Sequence, residues 1–176
     1  MAKMTGARFL AETVHGFGIT HVFFMPYIAP RSLMEMEKLG IKRVQTHGEK
    51  AAAYMADAYA RVNRGPGLCM AQSVGAVNLA AGLQDAYLAC SPVVAITGRE
   101  SQINQQRHAY QEVDHVNPFS AVTKYSAYVA TTEQLPVYLR QAFRVATSGT
   151  PGPAHLDLQG LAGQLVVEPD LVGPSP

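Results

Sequence analysis

The sequence predicts an α/β protein, a three-layer sandwich in which a parallel sheet of about six strands lies between helices. Three observations lead there. Short apolar runs, such as residues 68–72 and 93–97, alternate along the chain with longer segments whose apolar residues recur at helical spacing. The central runs are apolar at successive positions, as in strands covered on both faces. Glycine or proline marks nearly every junction between the two kinds of segment.

A first helix is predicted over residues 5–15, with Phe9, Leu10, Thr13 and Val14 toward the core and Gly16 and Gly18 ending it. Residues 19–24 form the first strand, which Pro26 stops. Ser32 and Glu35 have the spacing of a capping box and open a short helix that Gly40 closes. Residues 42–46 form the second strand. Thr46 and Glu49 repeat the capping-box spacing at the head of an alanine-rich helix whose apolar stripe is Ala52, Met55, Ala56 and Tyr59. Its nearly smooth surface suits close approach of another subunit or domain.

A turn at Asn63, Gly65 and Pro66 leads to the third strand, residues 68–72. A second turn, Ser73-Val74-Gly75, feeds a helix from 76 to 90 with Leu79, Leu83, Ala86, Tyr87 and Cys90 inward. Ser91 and Pro92 break it, and residues 93–97 form the fourth strand. Residues 98–118 lose all periodicity and make a long polar loop, of the kind that carries function on a rigid sheet. One helical turn at 119–123, a strand at 124–129, a helix at 132–148 and a sixth strand at 154–158 complete the pattern. The expected domain covers residues 1–160, and 161–176 reads as a linker toward a further domain.

Composition narrows the function. A chain of 176 residues has room for one well-cored domain, and 48% hydrophobic with 15% charged residues suits a buried sheet. A formal charge of +1 without a basic run points away from nucleic acid and from anionic membranes, and no apolar stretch is long enough to span a bilayer. Met1 to Gly6 lack the apolar centre of a signal peptide, so a cytoplasmic location is expected. Cys69 and Cys90 are too few for a disulfide framework, and the six histidines have no metal-ligand spacing. In a parallel sheet, ligands bind at the carboxyl ends of the strands. Four segments converge there: Pro26, Gly48-Glu49, Ser73 to Gly75, and the long loop.

The residues on that edge carry a resemblance. Glu49-x-x-Ala52-Ala53-x-Met55-Ala56-Asp57-x-Tyr59-Ala60-Arg61, then Gly75-Ala76-x-Asn78, then Pro92 to Gly98, follow one another in a fixed order. Tyr110-Gln111-Glu112, Val122-Thr123-Lys124 and Gly152-Pro153 follow in turn. Together they resemble the N-terminal, pyrimidine-binding domain of thiamine-diphosphate-dependent enzymes of the acetolactate synthase and 2-oxo-acid decarboxylase type. The resemblance implies the thiamin-diphosphate-binding fold and activity as a lyase or carboligase on a 2-oxo acid. It implies that Glu49 hydrogen-bonds N1′ of the cofactor's aminopyrimidine and favours the tautomer that deprotonates thiazolium C2. Pro26, Gly75, Asn78 and Gln111 fall where that family's chain approaches cofactor or substrate.

Such enzymes hold the diphosphate and its Mg2+ in a separate domain through a G-D-G…N motif that this sequence lacks. The chain is therefore expected to be part of a longer polypeptide or one subunit of a split enzyme, to work as a homo-oligomer, and to carry no metal itself. FAD occurs in some such enzymes, but nothing in this sequence supports it. Three departures lie on the binding edge: Gly48 separates His47 from Glu49, bulky residues fill the turn Phe24-Met25-Pro26-Tyr27, and Gln72 to Gly75 is shortened. They motivate the alternative, a non-catalytic homologue serving oligomerisation or regulation. Local spacing alone reads Glu49 as a helix cap, which the resemblance does not exclude.

Overall fold

A computed structural model describes residues 3–172. In chain order the elements are β1 (Lys3–Thr5), α1 (Gly6–Gly16), β2 (His21–Phe24), α2 (Pro30–Lys38), β3 (Lys42–Gln45), α3 (Glu49–Asn63), β4 (Gly67–Gln72), α4 (Ser73–Leu88), β5 (Val93–Arg99), α5 (Val116–Ser120), β6 (Tyr125–Val129), α6 (Leu135–Thr147), β7 (Ala154–Gln159), α7 (Gln164–Val167) and β8 (Asp170–Val172). Six strands form one parallel sheet in the order β3-β2-β4-β5-β7-β6. This is the predicted three-layer α/β sandwich, with all six sheet strands in the expected chain order. Among the described residues no helix is long and apolar enough to cross a membrane.

Strand pleating sends alternate side chains to opposite faces and so divides the core in two. Leu68 and Met70 of β4 point with Val94 and Ile96 of β5 toward α1, α2, α6 and α7, where Phe9, Leu10, Met36, Leu139 and Phe143 are buried. Cys69 and Ala71 point with Val93 and Ala95 to the other face, against Ala52 and Ala56 of α3 and Leu79 and Leu83 of α4. The second face is built from small residues, and α3 and α4 come correspondingly close. A Cβ on Gly82 would lie 2.8 Å from Ala53 Cβ and 2.9 Å from the Lys50 carbonyl oxygen. The alanine stripe is thus consumed inside the domain, not left for a partner.

The helix stripes differ from expectation where the period slips by one residue. In α3, Met55 is exposed and Ala53, Asp57 and Ala60 are buried instead; Tyr59 is partly buried. In α4 the buried set is Ser73, Ala76, Leu79, Ala80, Gly82, Leu83 and Ala86, while Tyr87 lies one step round the helix and Cys90 beyond its end; both are exposed. Ser32 does not cap α2, because the helix starts earlier, at Pro30, after a left-handed Ala29. Ser32 is buried instead, and Glu35 binds Lys38 (2.6 Å) and Arg8 (3.1 Å).

Residues 161–172, aperiodic in sequence, lie against the domain. Val166 and Val167 are fully buried, Thr132 Oγ1 donates to the Val166 carbonyl at 2.8 Å, and β8 pairs antiparallel with β1. The remainder of the expected linker, 173–176, falls outside the described residues.

Candidate functional site

The order of strands reverses between β2 and β4, so the connections after these two strands leave in opposite directions and open a crevice at their carboxyl ends. The start of α3 lies beside it. Gly48 is fully extended there (φ −173°) and is the N-cap, which delays the helix until Glu49. The capping box at Thr46 therefore does not form: a box needs its glutamate at the third helical position, and Glu49 occupies the first. Thr46 Oγ1 instead donates to the Gly48 carbonyl at 2.9 Å and steadies the turn. The Glu49 carboxylate, released from capping, reaches across to α4.

What it meets there is a gap the size of a methyl group. A Cβ on Gly75 would stand 2.9 Å from Glu49 Cδ and closer still to Oε1. Asn78 Nδ2 donates to the other oxygen, Oε2, at 3.3 Å. Gly75 and Asn78 are three residues apart and so share one face of α4. They do so because α4 begins at Ser73, three residues earlier than the sequence pattern suggested. Glu49 itself is half-buried in this chain rather than buried.

Gln111 arrives from the long loop. Ser73, in the left-handed region at φ +49°, donates its hydroxyl to the Gln111 carbonyl at 2.5 Å. A non-glycine residue held there costs on the order of 1 kcal/mol, and such strain tends to collect at functional sites. The Gln111 side chain donates from Nε2 to Tyr110 Oη at 2.8 Å, while its Oε1 is buried without a partner. An open cavity of about 680 Å³ lies against this turn, lined by Val74, Gln106, His108, Gln111 and Asp114 among others.

Pro26 is more loosely joined to the set. It is exposed, in the turn after β2, and that turn is tied to the end of β4 when the Gln72 amide donates to the Tyr27 carbonyl (2.7 Å) and to the Leu161 carbonyl (3.1 Å). Glu49, Gly75 and Asn78 thus form one contact group, Gln111 is hung on Ser73 beside it, and Pro26 lines the adjoining turn. The sequence puts Ser73 and Gln72 on the binding edge without giving either a role at the site. Their signal was the polar pair ending an apolar strand. Among the described residues no cluster of three or more His, Cys, Asp or Glu side chains is placed to hold a metal ion.

A second polar group lies deep in the sheet and was unforeseen. Thr97 of β5 and His155 and Asp157 of β7 are buried together with His115, the residue before α5. The strand run Ala154-His155-Leu156-Asp157-Leu158, polar at alternate places in an otherwise apolar stretch, was the available clue.

Known proteins give the geometry a family. Residues 4–117 match the family described as thiamine pyrophosphate enzyme, N-terminal TPP binding domain. The chain is 34% identical over 157 residues to a probable acetolactate synthase large subunit of Methanocaldococcus jannaschii, covering 88% of this chain and 27% of that protein. It is 38% identical over 157 residues to the acetolactate synthase isozyme 2 large subunit of Escherichia coli, covering 88% and 29%. To acetolactate synthase 2, chloroplastic, of Nicotiana tabacum it is 35% identical over 168 residues, covering 94% and 25%. The chain thus spans between a quarter and a third of the length of these relatives. It belongs to the thiamine pyrophosphate enzyme family, of which it presents the N-terminal TPP binding domain.

Proposed function

We propose that this chain supplies the aminopyrimidine half of a thiamine-diphosphate site in an enzyme that acts on a 2-oxo acid, with Glu49 as the residue that activates the cofactor. The observation that carries this reading is the Glu49 carboxylate resting over the missing Cβ of Gly75. The cradle fits a flat heteroaromatic ring bearing a basic nitrogen: a carboxyl group to share a proton, a glycine that leaves room, and an orphan acceptor at Gln111 Oε1 for an amino group. When bound, the cofactor supplies the electron sink for cleaving or forming a bond to the 2-oxo carbon.

Five residues of the chain each have a part in this reading. Glu49 holds a proton at a carboxyl oxygen and shares it with the ring nitrogen. Asn78 fixes Oε2, so that the carboxyl group presents one oxygen in a constant direction. Gly75 leaves the space that the Glu49 carboxylate occupies, and Pro26 stands in the adjoining turn. Gln111 offers its unpartnered Oε1 to cofactor or substrate.

The diphosphate and its Mg2+ would be held by a further domain of the same or a partner chain, as in a longer polypeptide or a split decarboxylase, and the site would be completed in a homo-oligomer. The exposed apolar residues beside it, Tyr54, Met55, Val74 and Val77 on α3 and α4, support a covering partner there. The acetolactate synthases among the relatives support carboligation of the acetolactate type. A second reading, a catalytically silent homologue, draws support from Tyr27, which is 59% exposed and stands in the turn at Pro26.

The test is turnover by the full-length protein or its complete assembly with thiamine diphosphate, Mg2+ and a panel of 2-oxo acids. Glu49→Gln is expected to lower kcat by about a hundredfold or more while leaving the melting temperature unchanged. Equal turnover in that variant would reduce Glu49 to a structural residue. No turnover of any 2-oxo acid by the unsubstituted assembly would favour the silent homologue.

A further inference from the structure

The buried group of Thr97, His115, His155 and Asp157 has a single consistent proton arrangement. Asp157 can only accept, so Thr97 donates its hydroxyl hydrogen to Oδ1 (2.8 Å) and His115 donates from Nδ1 to the same oxygen (2.9 Å). With its only hydrogen spent, Thr97 Oγ1 must accept from His155 Nε2 (2.8 Å). His155 Nδ1 is then left to accept from Ser126 Oγ (2.8 Å). Every donor in the chain, from Ser126 through His155 and Thr97, points toward one carboxylate. Arg99 Nη1 stands 3.5 Å from the second oxygen of Asp157 and 3.5 Å from Asp114.

The two ends of this arrangement differ in what they hold. His155 is stacked on Phe119 of α5 (centroids 3.6 Å apart, planes 12° apart) and belongs to the sheet. His115 and Asp114 belong to the end of the long loop whose other residues reach the crevice. Between them and the crevice the loop is closed on itself, because the Glu112 carboxylate accepts from the backbone of Gln106 and Ala109. The loop therefore hangs as one piece from the Ser73 hydroxyl at Gln111, from Arg99 at Asp114, and from Asp157 at His115.

We propose that Asp157 and His115 are positioning residues that hold the long loop in register, so that Gln111 stays against the start of α4 beside Glu49. The pair is placed for this and not for chemistry: both side chains are fully buried, and neither lines the crevice. A burial role alone would be met by apolar residues of similar volume, whereas a charged acceptor on β7 paired with a loop histidine fixes one register. The effect on turnover rests on the reading of Gln111 as a site residue; the effect on the loop does not.

The experiment compares His115→Leu, Asp157→Asn and His115→Asn in the protein carrying this chain. An asparagine at 115 can place its Nδ2 near the position of the histidine Nδ1 and serves as the conservative rescue. Backbone hydrogen exchange is read residue by residue. In His115→Leu and Asp157→Asn, amides 105–113 are expected to exchange about tenfold faster or more, with Ala95, Ile96, Leu156 and Leu158 unchanged. His115→Asn is expected to restore most of the protection. In the active assembly the same two disruptive variants should raise KM for the 2-oxo acid more than they lower kcat.

Unchanged exchange in the loop would overturn the proposal. So would acceleration spread equally over the loop and the strands, which would make the group an ordinary part of the core. Glu49→Gln separates the two hypotheses. If it leaves turnover unaltered while the loop still loosens in His115→Leu, the reading of the active site fails and the positioning role stands. If Glu49→Gln is inactive and the loop does not loosen, the reverse holds.

Discussion

The carboxylate of Glu49 lies where a side chain on Gly75 would begin: a Cβ there would come within 2.9 Å of Glu49 Cδ. Two neighbouring helices on one face of the sheet meet at this point, one bringing a charged group and the other an absence. The contact decides how the site responds to substitution, because the atom that must yield is the end of a flexible side chain and not backbone.

Gly75→Ala therefore separates stability from binding. Alanine in the first turn of α4 gains up to about 1 kcal/mol of helix propensity, which offsets the displacement of the Glu49 carboxylate. The melting temperature is expected to change by only a few degrees, while affinity for thiamine diphosphate in the full assembly drops about tenfold or more. Calorimetric titration beside a thermal melt checks both halves, and undiminished affinity would remove Gly75 from the site.

Gly82→Ala, in contrast, is expected to lower stability outright. The added Cβ meets Lys50 O and Ala53 Cβ, at 2.9 and 2.8 Å, and these belong to α3 rather than to a movable side-chain tip. Forcing the two helices apart costs about 1–3 kcal/mol and outweighs the propensity gain. Urea unfolding should show a lower midpoint at an unchanged slope.

Stability should fall on mild acidification. Burial, then the nearby His115 and Arg99, holds the His155 pKa well below its ordinary 6.5. The folded state thus refuses a proton that the unfolded chain accepts. Stability from this group is complete above pH 6.5 and is lost as pH falls below it toward the folded value, by up to about 1.4 kcal/mol per pH unit. Melting temperatures from pH 8 to 5.5 measure the slope, and His155→Gln should flatten it.

The two cysteines should differ sharply in reactivity. Cys90 is exposed, whereas Cys69 is buried in β4 and its thiol is pushed up by burial, so that almost no thiolate forms. A thiol-specific reagent should titrate one cysteine in the native protein and both after unfolding. Rapid labelling of Cys69 in the native state would mean that β4 opens locally.

The sequence made some features legible and hid others for identifiable reasons. Strands such as 68–72 and 93–97 were plain because a strand covered on both faces must be apolar throughout. The Thr46–Glu49 spacing suggested a capping box, but an extended Gly48 moved the helix start. That shift was invisible in side-chain types, because the extended backbone at residue 48 is open to any residue and the neighbouring contacts select it. The stripe of α4 went astray at Tyr87, since the helix turns on α3 and β4 together and no periodic rule knows where its neighbours stand.

Alternation of apolar and amphipathic segments by itself determined a parallel sheet between two helical layers, and motif order brought Glu49, Gly75, Asn78 and Gln111 to its carboxyl edge. Tertiary structure alone decided that β7 inserts between β5 and β6. It also decided that Glu49 turns to Gly75 instead of to its own helix cap, and that His115 and Asp157, 42 residues apart, meet in the core. The division has one physical cause. Local pattern records which residues avoid water, whereas the partner of a buried charge is set by strand order and by the space that neighbouring helices leave.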